Sequence, residues 1–385
     1  MKERMVRVEA ASKSYDVIVG AGLLARLGVL VRPVAGRARK VLVIHDADLP
    51  PALVSSCSLS LTEAELVPVL EPLKASESNK SLAQVERLLG RAASAKLDRR
   101  DIVVALGGGI VGDVAGFVAA TFKRGLRVIQ CPTTLLAMVD ASVGGKTGVN
   151  LLHEGNLLKN YVGSFHQPEL VIASVDALDS LPARQFRAGL AECIKHAMIS
   201  ADWGNLDLWD WTSGAIGPIL GRVPETLAEL VARNVAVKAA VVGSDERELD
   251  ESGGRALLNL GHTFAHAIET LPQLSPDGDP AHAPLLHGEA VALGLRAACS
   301  TAVALGLLDD AEAVCVRNLL EEAGLPVEVR QLPPVDRILD RMASDKKSLA
   351  GSMRLVLPTG RGKARVVRSP EPKAVIRGIE SISVH

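Results

Sequence analysis

Up to about residue 180 the chain alternates short runs of β-branched and aliphatic residues with stretches of helical period. The runs "KVLVIHD" (40–46), "DIVVALGGG" (101–109), "LRVIQCPTT" (126–134) and "ELVIAS" (169–174) read as strands, and the N-terminal "MKERMVRVEAASKSYDVIVG" alternates like a strand pair. Between them, "KSLAQVERLLGRAASAKL" (80–97) and "IVGDVAGFVAATF" (110–122) carry helical periodicity. Strand–helix alternation of this kind predicts a parallel α/β domain. From about residue 182 the texture changes to long helical patterns separated by prolines and glycines, with Pro224 where a helix could begin. A short β-like pair, "MRLVLPT" and "KARVVR", lies near the end. The expected plan is a Rossmann-like parallel α/β domain over 1–180 followed by a mostly α-helical domain over 181–385. A cleft between two such domains is the default place for a site.

Composition agrees with this plan. At 385 residues the chain exceeds the size at which one core keeps growing, so two domains are natural. Aromatic residues are only 3%, which leaves Val, Leu, Ala and Ile to build a helix-covered sheet. The formal net charge of −1, with both signs interspersed, gives no footprint for nucleic acid or an anionic membrane. No apolar run approaches the length of a membrane span, and the N-terminus lacks a secretory apolar segment. Five scattered cysteines without a Cys-x-x-Cys spacing argue for reduced, packed thiols in a cytoplasmic protein.

Candidate chemistry begins at "VVALGGGIVGDVAGF", a strand running through Gly107, Gly108, Gly109 and Gly112 into a helix. Glycines allow a tight turn and close approach to a pyrophosphate at the helix N-terminus, although this pattern alone serves equally as a structural turn. Next comes "CPTTLLAMVDASVGGKTGVN", where Lys146 follows two glycines and Thr133 and Thr134 follow a strand. A Walker loop needs a longer glycine spacing and a strand directly before it, so an NTPase is rejected; a lysine among exposed amides still suits an anion.

In "AGLAECIKHAMIS", Glu192, Lys195 and His196 share one otherwise apolar helical face. Further on, "ALLNLGHTFAHAIE" places His262 and His266 one turn apart, and "LLHGEAVALG" offers His287 at a helix start. Two histidines and a carboxylate from separate helices form a catalytic-type zinc set. Spacing alone would choose His262 and His266 as the ligand pair.

Together these motifs, with "DERELDESGGRALLNLGH" and "DKKSLAGSMRLVLP", resemble the 3-dehydroquinate synthase family of the sugar phosphate cyclases over residues 40–360. The resemblance implies metal ligands Glu192, His262 and His287, normally holding zinc or cobalt, and turns His266 toward the substrate phosphate. It implies substrate-pocket roles for Asp140, Lys195, Lys238, Glu248, Arg255 and Asn259. Lys146, Asn160 and one of Lys346 and Lys347, taken as Lys347, would contact substrate anions. Arg124 would reach a neighbouring subunit's site, implying a homodimer. NAD would lie across Gly108, Gly109, Gly112, Asp113, Thr133 and Thr134, with Asp46, Glu77 and Lys80 at its adenosine end and Asp140, Lys146 and Lys159 also near it.

Three departures from the family pattern stand out. Ser76 precedes Glu77 where glycine is usual, Ala265 replaces a frequent glycine, and the link over 150–160 is longer, leaving Asn156 in competition with the pair Lys159–Asn160. Sister cyclases making inosose or valiolone rings carry an acid at the Asn259 position. Asn259, Arg255 and His266 therefore imply a substrate bearing a carboxylate, 3-deoxy-D-arabino-heptulosonate 7-phosphate, closed to 3-dehydroquinate with loss of phosphate. An aminodehydroquinate synthase is a second reading left open, and a metal-dependent polyol dehydrogenase of the glycerol dehydrogenase type is a rival from another reaction class.

Overall fold

The computed structural model of the chain describes residues 2–250, 253–344 and 353–384. They divide into two compact units, Met1–Pro182 with Arg222–Gly243, and Ala183–Gly221 with Ser244–His385.

The first unit is built on a seven-stranded sheet. Its strands are β1 (Arg4–Glu9), β2 (Ser14–Gly20), β3 (Lys40–Asp46), β4 (Val67–Leu73), β5 (Ile102–Gly107), β6 (Arg127–Pro132) and β9 (Leu170–Ser174). Their order is β1-β2-β9-β6-β5-β3-β4, with β1 and β2 antiparallel and every other pairing parallel. Every residue of β5 and β9 is buried, so both faces of the sheet are covered, as continuous aliphatic runs require. Helices Leu82–Ser94 and Gly109–Thr121 supply much of that cover; Val85, Leu88, Val111, Val114 and Val118 pack with Leu42, Val103 and Val128 in one core cluster. Helix Leu82–Ser94 starts where Ser81 accepts a hydrogen bond from the Gln84 amide, an ordinary serine cap.

Each strand read from the sequence forms, within a few residues of the expected bounds. Among the strands, the sequence pattern does not show β4, whose "VPVLEPL" carries two prolines yet pairs at the sheet edge, or the hairpin of β7 (Lys146–His153) and β8 (Asn156–Phe165); nor does it show the helices Leu27–Ala35 and Pro51–Glu63. The longer link over 150–160 is therefore the turn end of that hairpin. The helix Pro224–Ser244 lies beyond the change of texture at residue 180, and nearly all of it belongs to the first unit.

The second unit is mainly helical, with a small hairpin of β10 (Arg354–Gly360) and β11 (Lys363–Arg368). Its central helices are Ala183–Ile199, buried at every position from Ala188 to Ile199, His262–Glu269, and His287–Ala304. Among the described residues no helix is long and apolar enough to cross a membrane. Four of the five cysteines are buried, and burial pushes Cys57 and Cys299 up to about 12, which leaves them as packed, unreactive thiols.

Candidate active site

In the second unit, three side chains from three helices converge. Glu192 is wholly buried on Ala183–Ile199, and one of its oxygens lies 3.7 Å from Nε2 of His262 and 3.4 Å from Nε2 of His287. The three ligand atoms all lie within 4.8 Å of one another. Ligand atoms about 2.1 Å from a single tetrahedral ion stand roughly 3.4 Å apart, so one zinc-sized ion fits this set with little adjustment.

Backbone proximity makes the convergence possible. Gly261 and Gly294 let the chain before His262 press on the helix of His287: a Cβ at Gly294 would stand 2.2 Å from the Gly261 carbonyl oxygen, and Gly261 has φ +76°. The two imidazole centroids end 5.5 Å apart. His262 faces the Leu260 carbonyl with Nδ1 at 3.2 Å; that oxygen can only accept, so Nδ1 carries the hydrogen and Nε2 is left as the donor atom for a metal. His287 faces Glu269 with Nδ1 at 3.3 Å.

Electrostatics separates the two rings. Burial, helped by the Lys195 charge, pushes His262 down to about 3. Burial also opposes charge on His287, yet hydrogen bonds to Glu192 and Glu269 outweigh it and lift that ring to about 10. Glu192 resists the upward push of burial because Lys195 and the two rings hold it well below the usual carboxylate range. Lys195, one helical turn along and 2% exposed, pairs with Glu192. His266 lies edge-on to His262 with centroids 5.5 Å apart but is not one of the three converging ligands. The pairing of His262 with His266, suggested by spacing alone, is thus replaced by His262 with His287.

In the first unit, strand order reverses between β3 and β5, the place where ligands bind at the carboxyl ends of an open parallel sheet. There Asp46 ends β3, and Gly107 to Gly109 lead from β5 into helix Gly109–Thr121, whose N-terminus no side chain caps. The glycines are required by close approach: a Cβ at Gly107 would meet Val111 at 2.7 Å, and one at Gly112 would meet Gln130 at 2.9 Å. Thr133 donates its amide to the Gly107 carbonyl at 3.0 Å, and the Thr134 hydroxyl accepts from the Ala137 amide.

Beside this turn runs a connected polar chain. Lys80, 5% exposed, pairs with Asp113 at 2.5 Å and with the side-chain oxygen of Asn160. Asn150 accepts from the Asn160 amide at 2.8 Å and donates to Glu77 at 2.7 Å. Burial raises Asp113 from its ordinary value, against the pull of Lys80. On the same unit, Lys238 pairs with Asp140 in a single π-helical turn, Ala137–Ala141.

Residues 71–188 match the family described as 3-dehydroquinate synthase N-terminal, and residues 189–348 match 3-dehydroquinate synthase C-terminal. A 3-dehydroquinate synthase of Cereibacter sphaeroides (strain KD131 / KCTC 12085) is 40% identical, covering 97% of this chain and 96% of its own. The chain belongs to the 3-dehydroquinate synthase family. Another such synthase, from Synechococcus sp. (strain CC9605), is 42% identical over 94% of this chain and 93% of its own. Among solved structures, the 2-epi-5-epi-valiolone synthase of Streptomyces hygroscopicus subsp. jinggangensis 5008, with NAD+ and Zn2+ bound, superposes with a TM-score of 0.80. It is 27% identical and covers 98% of this chain and 99% of its own.

For a member of the 3-dehydroquinate synthase family, the remaining expected residues fall as follows. Asn160, expected at the substrate phosphate, has its side-chain oxygen on Lys80, which in turn pairs with Asp113 in the helix after the glycine turn. Arg255 is 2% exposed and donates to the Glu246 carbonyl at 2.6 Å, while Asn259 donates to Glu248 at 3.3 Å. Lys146, Lys159 and Arg124 are exposed, and Lys346 and Lys347 lie outside the described residues. Sequence reasoning assigned no role to Tyr15, Asn150, Glu269 or Glu289. Tyr15, buried on β2, accepts the Gly144 amide at 2.9 Å and so fixes the turn before Lys146. Each has a partner that local spacing cannot mark: 129 residues away for Tyr15, 73 for Asn150 with Glu77, 18 for Glu269 with His287 and 105 for Glu289 with Arg184.

Proposed function

We propose that the chain is a 3-dehydroquinate synthase acting on 3-deoxy-D-arabino-heptulosonate 7-phosphate, with NAD and zinc or cobalt. The observation that carries this reading is the convergence of Glu192, His262 and His287 around one ion-sized space beside the buried Lys195, in a chain of this family. The donor set, one carboxylate and two imidazoles, suits zinc and leaves a coordination position for substrate oxygens. Bound there, the ion supplies positive charge that favours loss of a hydroxyl proton. NAD, bound at the glycine turn, supplies reversible hydride exchange, so the net reaction is elimination of phosphate followed by ring closure.

The chain's own residues do the rest. Lys195 holds or moves the hydroxyl proton, and its charge is balanced by Glu192. Arg255 suits the substrate carboxylate, because a guanidinium fork can pair with it in two parallel bonds. His266, Lys146, Asn160 and Lys347 are assigned to the phosphate. Asp140, paired with Lys238, and Glu248, bonded to Asn259, position the hydroxyls. Asn259, neutral where the sister cyclases carry an acid, favours a carboxylate-bearing substrate.

Incubation with the heptulosonate phosphate, NAD and zinc should release phosphate stoichiometrically with no net NADH. Accumulation of NADH in step with substrate would instead indicate a polyol dehydrogenase. An amino analogue run in parallel separates the aminodehydroquinate reading. We also infer a cytoplasmic homodimer, in which Arg124, exposed in the turn Phe122–Arg124, reaches the partner; light scattering of the purified chain tests the assembly.

A further inference from the structure

The two imidazoles of the proposed metal set are held in unlike ways. His262 has a neutral partner two residues back in its own chain, the Leu260 carbonyl. His287, the first residue of its helix, lies between two carboxylates from two other helices: Glu192 at 3.4 Å from Nε2 and Glu269 at 3.3 Å from Nδ1. Glu269 is the last residue of helix His262–Glu269, where the partial negative charge of the helix end disfavours a carboxylate. Arg341 reaches that same helix end, donating to the Ala267 carbonyl at 2.6 Å and to the Thr270 hydroxyl. His262, His266 and Glu269 fall at i, i+4 and i+7, one continuous helical face.

We infer that Glu269 is a positioning residue for the metal centre: its carboxylate accepts the Nδ1 hydrogen of His287, fixes the ring with Nε2 toward Glu192, and makes that nitrogen a stronger ligand. The inference rests on the metal reading given above. A carboxylate behind a ligating histidine fixes its tautomer and orientation, and loss of such a partner lowers metal affinity about 10–100-fold. The face of helix His262–Glu269 then carries a ligand at one end and the support of a second ligand at the other.

The test is chelator competition for zinc on the full chain, with thermal unfolding of the metal-free protein measured alongside. Glu269→Ala should bind zinc about 10–100-fold more weakly than the parent. Glu269→Gln, which keeps the shape and a neutral acceptor, should recover part of that loss and also serves if the alanine variant fails to fold. With 15N-labelled histidine, the zinc-loaded parent should show His287 protonated on Nδ1 alone. Zinc affinity equal to the parent in both variants overturns the role of Glu269. If the parent itself binds no zinc, or His287→Ala binds it undiminished, the metal reading fails instead.

Discussion

Arg184 and Glu289 form a two-pronged pair, Nε to Oε1 at 2.7 Å and Nη2 to Oε2 at 2.8 Å, between the first turns of the helices that carry Glu192 and His287. Glu289 also accepts the Leu286 amide at 2.7 Å, closing the N-terminus of the helix that begins at His287. Arg184 further donates to the carbonyls of His282 and Pro284. One pair therefore fixes both where His287 starts and how the preceding loop runs. Arg184→Met should destabilise the fold by about 1–3 kcal/mol, because Glu289 is left buried without its charged donor. It should also weaken zinc retention, read by urea unfolding and chelator competition. A variant matching the parent in both would remove this role.

The two histidines one turn apart should separate cleanly by substitution. His287→Ala should abolish zinc retention and phosphate release together, since it deletes one of three ligands. His266→Ala should keep nearly all the metal and lose turnover. Metal analysis of the two proteins decides, and loss of zinc from His266→Ala as complete as from His262→Ala would restore the pairing by spacing.

Zinc uptake should release protons. In the metal-free protein His287, lifted to about 10, holds a proton near neutral pH, whereas His262, pushed down to about 3, holds none. An entering ion must displace the His287 proton, so apparent affinity should rise about tenfold per pH unit up to about 10 and then level off. For the metal-free fold the sign is reversed. The stability from a raised histidine is fully present below its ordinary value of 6.5 and is lost as pH rises through about 10. Calorimetry in buffers of different ionisation heat counts the protons, and an affinity flat with pH would contradict the assignment.

Lys80→Met should disable the cofactor turn. Lys80 is the buried cation that opposes the upward push of burial on Asp113, and it also holds Asn160. Removing it leaves a carboxylate uncompensated at the helix turn, a loss of about 3–5 kcal/mol where the pair is fully buried and less here, since Asp113 is 22% exposed. NAD binding followed by fluorescence should fall sharply, while zinc binding, which uses residues of the other unit, should not change.

What the sequence revealed and what it hid follow from range. β3 and β5 were legible because buried parallel strands are continuous aliphatic runs; Glu192 and the histidines stood out as polar residues on apolar helices, but spacing paired His262 with His266, and only the family resemblance implied the set with His287. β4 was hidden by Pro68 and Pro72, which an edge strand tolerates, and the β7–β8 hairpin by its glycines and asparagines. Glu269 was visible as a letter after the histidines, but its partner His287 lies 18 residues away across a loop. Spacing within one helix could not show that the second metal-facing ring comes from another. The return of helix Pro224–Ser244 to the first unit is likewise a tertiary fact, since its local pattern equals that of the helices around it.

Gly294 should prove more important to the metal centre than its lack of a side chain suggests. In helix His287–Ala304 a Cβ at this position would stand 2.2 Å from the Gly261 carbonyl oxygen and 3.1 Å from the Ala265 amide nitrogen, both backbone atoms that cannot rotate away. Gly294→Ala must therefore push apart the two helices that carry His262 and His287. The gain expected for alanine over glycine in a helix, about 0.5–1 kcal/mol, is outweighed by that displacement. Zinc affinity should fall along with the melting temperature. Gly90, inside helix Leu82–Ser94 with nothing within 4 Å of its added Cβ, is the matched control. Gly90→Ala should raise the melting temperature slightly and leave zinc binding untouched. If Gly294→Ala behaves like Gly90→Ala, close helix contact is not what brings the two rings to one ion.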